Sequence, residues 1–67
     1  MKMKGCYCYE ISLEIPGQGG ATAYPAANSQ QEAIDKVFSW VPAGTRITMV
    51  HNESTGKTWY PLNLTKK

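Results

Sequence analysis

Only one segment of this chain has helical periodicity, and that constrains everything else. Between Ser29 and Pro42, the residues Ala33, Ile34, Val37, Phe38 and Val41 recur at the spacing of one helix face, while Gln31, Glu32, Asp35, Lys36 and Ser39 fall on the other. Ser29 followed three positions later by Glu32 is a capping box, in which each side chain satisfies a backbone donor of the first turn. Pro42 and Gly44 stop the helix, because proline restricts the residue before it and glycine accepts a backbone reversal. A lone apolar stripe has to be buried against something other than helix. A lone helix also covers just one face of a sheet, so the second face must be polar or meet a partner.

The sheet is legible on both sides of the helix. Tyr7, Tyr9, Ile11, Leu13 and Ile15 alternate with Cys8, Glu10, Ser12 and Glu14, the pattern of a half-buried strand. Pro16-Gly17-Gln18-Gly19-Gly20 supplies turn chemistry, and a short strand from Ala21 to Tyr24 closes a hairpin before Pro25. After the helix, Thr45 to His51 reads as a third strand. Asn52-Glu53-Ser54-Thr55-Gly56 turns the chain into Lys57 to Leu62, where Pro61 marks an edge strand. Thr65-Lys66-Lys67 reads as a frayed tail. The expectation is a single α+β domain over residues 1–67, one helix packed on a small antiparallel sheet in the order β-β-α-β-β.

Size and composition narrow the chemistry. A chain of 67 residues buries only ~60% of the surface exposed by its unfolded form and has little room for a deep pocket. Hydrophobic residues at 42% separate it from disordered chains, and a formal charge of +2 is far from the dense positive patch of a phosphate-backbone binder. The basic start, Met-Lys-Met-Lys, has no apolar stretch behind it, so no secretory signal is expected, and no apolar run approaches the ~18 to 20 residues that cross a bilayer. The expected location is therefore intracellular. Asn52-Glu53-Ser54 and Asn63-Leu64-Thr65 are then chance matches to the glycosylation pattern.

The candidate chemical motifs fail on context. Ser54-Thr55-Gly56-Lys57-Thr58 ends like a phosphate loop, but His51 stands where the first glycine belongs and Trp59-Tyr60-Pro61 blocks the following helix. Cys6 and Cys8, two apart on one strand, are expected to be free thiols, and with a single histidine they make no metal site. Glu10 and Glu14 share a strand face ~13 Å apart, wider than paired-carboxylate catalysis uses. No nucleophile, base and orienting group converge. The chain is expected to be no enzyme and to take no cofactor, metal or small-molecule substrate. What remains is surface. Trp59 and Tyr60 are adjacent in a strand and point to opposite faces, so one of them lies on the uncovered side.

The segment Glu32-Ala33-Ile34-Asp35, Trp40 near the helix end, and the run Val41-Pro42-Ala43-Gly44-Thr45-Arg46-Ile47-Thr48-Met49-Val50 resemble the small early inhibitor of host RNA polymerase made by coliphages of the T-seven type. The resemblance covers roughly half the chain, and Val-Pro-Ala-Gly is its specific part. It implies one helix on a small antiparallel sheet, and a protein that binds the largest subunit of the host polymerase in the cytoplasm of an infected bacterium. The family's two binding arginines align with Met49 and His51, leaving Arg46 as the nearby guanidinium; in a regular strand it falls on the face opposite to both. Glu32 and Asp35 keep part of the family's acidic helix face. The resulting partner-binding set is Arg46, Met49, His51, Glu32, Asp35, Trp59 and Tyr60. Two other readings stand beside it: an anti-CRISPR inhibitor of a host surveillance complex, and a nucleic-acid-binding module using Lys2, Lys4, Lys57, Lys66, Lys67 and an aromatic on the open sheet face.

Overall fold

A computed structural model describes residues 7–67; the expectations for Lys2, Lys4 and Cys6 fall outside that range. Among the described residues the elements are β1 (Tyr7–Ile15), β2 (Gly19–Ala23), β3 (Ala26–Ala27), α1 (Gln30–Trp40), β4 (Arg46–Asn52), β5 (Lys57–Trp59) and β6 (Leu64–Thr65). The two long strands β1 and β4 lie side by side, in the sheet order β2-β1-β4-β5, with β3 also on β1 and β6 also on β4. Every pairing is antiparallel. The α+β class with one helix on an antiparallel sheet is as the periodicity implies. The order of elements is not: each side of the helix has three strands instead of two.

The extra strands arise at prolines. On one edge Tyr24-Pro25 separates β2 from β3, and on the other Tyr60-Pro61 falls between β5 and β6. Proline has no N–H to give to a ladder, so each edge is broken and then resumes. Pro25 still contributes its carbonyl, which accepts from the Tyr9 amide at 3.0 Å. The expected strand Lys57 to Leu62 therefore ends at Trp59. The tail also differs from expectation. Leu64 and Thr65 pair with Ile47 and Arg46. Beyond them the Lys66 amide donates to the Thr45 carbonyl at 2.8 Å, the Lys66 carbonyl accepts from the Gly44 amide at 2.9 Å, and the Lys66 ammonium donates to the Val41 carbonyl at 2.5 Å.

Tyr9, Ile11 and Leu13 of β1, Ala27 of β3, Ala33, Ile34 and Val37 of α1, and Ile47 and Val50 of β4 form the core. At the helix start, Ser29 Oγ accepts from the Glu32 amide at 3.2 Å and Glu32 Oε1 accepts from the Asn28 amide at 3.3 Å, a capping box shifted by one residue. At its end Val41 is extended, with φ −126° and ψ 158°, as the residue before a proline must be. The junction that follows is a tight turn: the Pro42 carbonyl accepts from the Thr45 amide at 3.3 Å and from Thr45 Oγ1 at 2.8 Å. Gly44 is required there twice over. Its φ is +93°, and a Cβ would stand 3.0 Å from Pro16 Cγ.

One irregularity sets the faces of β4. Ser12 pairs with Met49 and Leu13 with Ile47, so Thr48 is an extra residue, a β-bulge. Its Oγ1 donates to the Ser12 carbonyl at 3.3 Å. The bulge is what lets Ile47 and Val50, three positions apart, both turn toward the helix.

Candidate functional site: the open face of the sheet

The register across the sheet fixes what is displayed on the face that the described residues leave uncovered. Leu13, Ile11 and Val50 point to the core, so their neighbours along each strand point away from it. One row across that face runs Glu10, His51, Thr58; the next runs Thr22, Ser12, Met49; the third runs Gly20, Glu14, Arg46, Thr65. Tyr24 and Tyr60 each directly follow a strand residue on the helix side, Ala23 and Trp59, and stand at opposite edges of the sheet. They are 68% and 70% exposed.

Arg46 thus lies on the same face as Met49 and His51, contrary to the expectation for a regular strand. The Thr48 bulge supplies the odd residue that reverses the parity. Arg46 is ion-paired to Glu14 across the strands, with both side chains about half exposed at 48% and 57%. Such a pair contributes ~0–1 kcal/mol to stability, so the guanidinium can be redirected to a partner carboxylate at little cost. His51 Nδ1 lies 2.7 Å from Thr58 Oγ1, which fixes the ring against β5. Met49, half-buried between these polar groups, is the apolar centre of the face.

The other candidate residues are elsewhere. Glu32 and Asp35 are on α1, on the far side of the sheet from Arg46; Asp35 accepts from Gln31 Nε2 at 3.0 Å, and Glu32 lies 3.9 Å from the Lys36 ammonium. Trp59 sits opposite Val50 and so faces the helix side. There it lines a groove of about 420 Å³ with Tyr7, Tyr9, Gln30 and Lys57. The Tyr7 and Tyr9 rings meet edge to face, 6.4 Å apart. Burial pushes the Tyr9 phenol up from its ordinary value of 10.0, and the neighbouring Tyr7 and Glu32 add to the shift. The seven candidate residues therefore divide: Arg46, Met49 and His51 share the open face, Glu32, Asp35 and Trp59 lie on the helix side, and Tyr60 is exposed just past the end of β5.

The remaining motifs find structural uses. Ser54 to Gly56 is the β4–β5 turn, in which Asn52 Oδ1 accepts from the Ser54 and Thr55 amides at 2.9 and 3.1 Å and Gly56 takes φ +80°. Cys8 is an exposed free thiol, and no group of three metal-ligating side chains occurs among the described residues. No helix among them is long and apolar enough to cross a membrane. Sequence reasoning passed over Tyr24 as a surface aromatic. Its signal was its place just before Pro25, at the end of the hairpin's second strand. Comparison with protein-family models, with curated proteins and with solved structures finds no match to this chain.

Proposed function

We propose that this chain is a non-enzymatic inhibitor encoded by a phage, which docks its open sheet face on the largest subunit of the host bacterial RNA polymerase. The observation that carries this reading is the convergence of Arg46, Met49 and His51 on one uncovered face, at and beside the positions where the resembled family places its binding arginines. A single guanidinium, a thioether and an imidazole in adjacent rows suit a surface that offers carboxylates around an apolar spot. The helix stripe is committed to the core and contributes nothing to docking.

The nucleic-acid reading is disfavoured by the charges of the same face. Its ionised side chains among the described residues are Glu10, Glu14 and Arg46, an acidic excess that repels phosphate. Lys66, one of the cations invoked for that reading, bonds the Val41 carbonyl. An anti-CRISPR inhibitor would use the same face on a different host assembly.

The test is an affinity capture from bacterial lysate at physiological ionic strength, read by mass spectrometry and repeated with purified polymerase. Enrichment of the largest polymerase subunit, reproduced with the purified enzyme, supports the reading. Recovery of no polymerase subunit overturns it, and recovery of a CRISPR surveillance complex instead would establish the alternative.

A further inference from the structure

We propose that β2 pairs with β2 of a second copy of this chain, joining two sheets into one across a twofold axis through Ala21. The proposal is independent of which host protein the open face binds.

It starts from the edges. An unpaired strand edge presents a row of free N–H and C=O groups, and proteins that stay monomeric blunt such edges with lysines, prolines, bulges or very short strands. Three of the edge strands here are blunted. β3 has two residues, and the Lys36 ammonium occupies the Ala26 carbonyl at 2.5 Å. β5 has three, begins with Lys57, and is followed by Pro61 after Tyr60. β6 has two residues, and the backbone of Lys66 just beyond it is bonded to Thr45 and Gly44. β2 is different. It is five residues long, Gly19 to Ala23, with no charge and no proline, and among the described residues its only neighbour is β1. Four of its five residues are exposed.

The side chains choose the occupant. A foreign strand is recognised through pockets for its alternate side chains, and Gly, Gly, Ala, Thr and Ala make no pockets. A second copy needs none, because a twofold operation makes the edge complementary to itself. Opposite residues in an antiparallel pair must share the same hydrogen-bonding sense, so the axis passes through a residue, and Ala21 is the one that gives full overlap. Ala21 then faces Ala21, Thr22 faces Gly20 and Ala23 faces Gly19 of the other copy. No like charges meet, since the run from Gly17 to Tyr24 is uncharged. This register also gives Tyr24 a place. Its exposed ring, one step beyond Ala23, lies diagonally over the bare backbone of Gly20 in the other copy, the arrangement by which an aromatic covers an edge glycine. Both open faces end on the same side of the joined sheet.

A ladder of this length is small for an interface, so the dimer is weak and concentration-dependent. Sedimentation equilibrium of the full chain at rising concentration is expected to show reversible dimerisation, with hydrogen exchange slowed at high concentration at amides between Gly19 and Ala23. Ala21→Lys, an exposed position, places two ammonium groups opposite each other and is expected to weaken dimerisation by about tenfold or more. Mixing it with Ala21→Glu is expected to restore association as a heterodimer. A wild-type chain that stays monomeric throughout overturns the proposal and leaves the edge for a foreign strand. So does an Ala21→Lys variant that dimerises as the wild type does, or a mixture that fails to associate while each variant is folded by circular dichroism.

Discussion

Arg46 and Met49 share a face of β4 although an odd number of positions separates them, because Thr48 is an extra residue of β4 between the pairs Leu13–Ile47 and Ser12–Met49. Pairing Thr48 regularly would strand the guanidinium on the helix side; bulging it keeps Arg46 with Met49 and His51. Deleting Thr48 leaves Ile47 and Val50 two apart, so both still reach the core in a regular strand. The deletion variant is expected to fold, with a cooperative thermal transition. Deleting Ser12, directly across, makes Ile11 and Leu13 neighbours and turns one of them to water, which costs about 2–5 kcal/mol and leaves little stability. A Thr48 deletion that unfolds would show that the faces are set by something other than the bulge.

Gly44→Ala is expected to destabilise by about 1–3 kcal/mol, since it adds a Cβ at positive φ and presses it on Pro16. Gly17→Ala has a similar φ, +77°, with nothing within 4 Å of the added carbon. It reports the backbone part alone, about 1 kcal/mol. Urea unfolding of both separates the two effects, and equal losses would remove the Pro16 contact from the account.

Truncation after Asn63 removes the half-buried Leu64 and the Lys66 bonds to Gly44, Thr45 and Val41. The loss is expected to be about 2–4 kcal/mol by chemical denaturation. A chain that keeps its full stability without these residues would restore the expectation of a frayed tail.

Tyr9 gives a pH signature. Its folded-state pKa is raised above 10.0, so the folded chain holds the phenolic proton more tightly than the unfolded one. Its contribution to stability is complete below the unfolded value and is lost as pH rises through the folded one. Tyr9→Phe, which keeps the ring and removes the titration, is expected to flatten the alkaline decline in unfolding free energy relative to wild type. Parallel curves for the two proteins would contradict the assignment.

Arg46→Ala is expected to weaken capture of the target at least about tenfold while shifting stability by no more than about 1 kcal/mol, because its Glu14 pair is half exposed. Met49→Asp is expected to abolish capture, and Asp35→Ala, on the other side of the sheet, to leave it unchanged. If the helix variant loses binding and the two strand variants keep it, the docking face is the helix.

The parts of this fold that the sequence displays are those with enough residues to show a period. β1 declares its inner face over nine residues, and the helix declares its stripe and both ends. β3 and β6 have two residues each, too few to alternate, and they exist because the chain resumes pairing after a proline. The side of Arg46 is invisible for a different reason: counting by twos fails at a bulge. The hint lay in Ile47 and Val50, whose apolar spacing of three suits neither a regular strand nor a helix start. The surface set divides because pairing with Val50 sends Trp59 to the helix side, where Glu32 and Asp35 also lie.

The central ladder also governs how fast this chain can assemble. Thr48 bonds a partner 36 positions earlier, Ser12, and the β1–β2 hairpin and the whole helix lie between them. The entropy of closing that loop is spent before any contact across it forms. The hairpin and the capped helix can sample their structures locally, but neither has a surface to pack on until β4 arrives beside β1. Folding is then expected to hinge on a late, long-range event at the Ser12–Met49 pairing, so core changes at Ile11 or Val50 should slow folding.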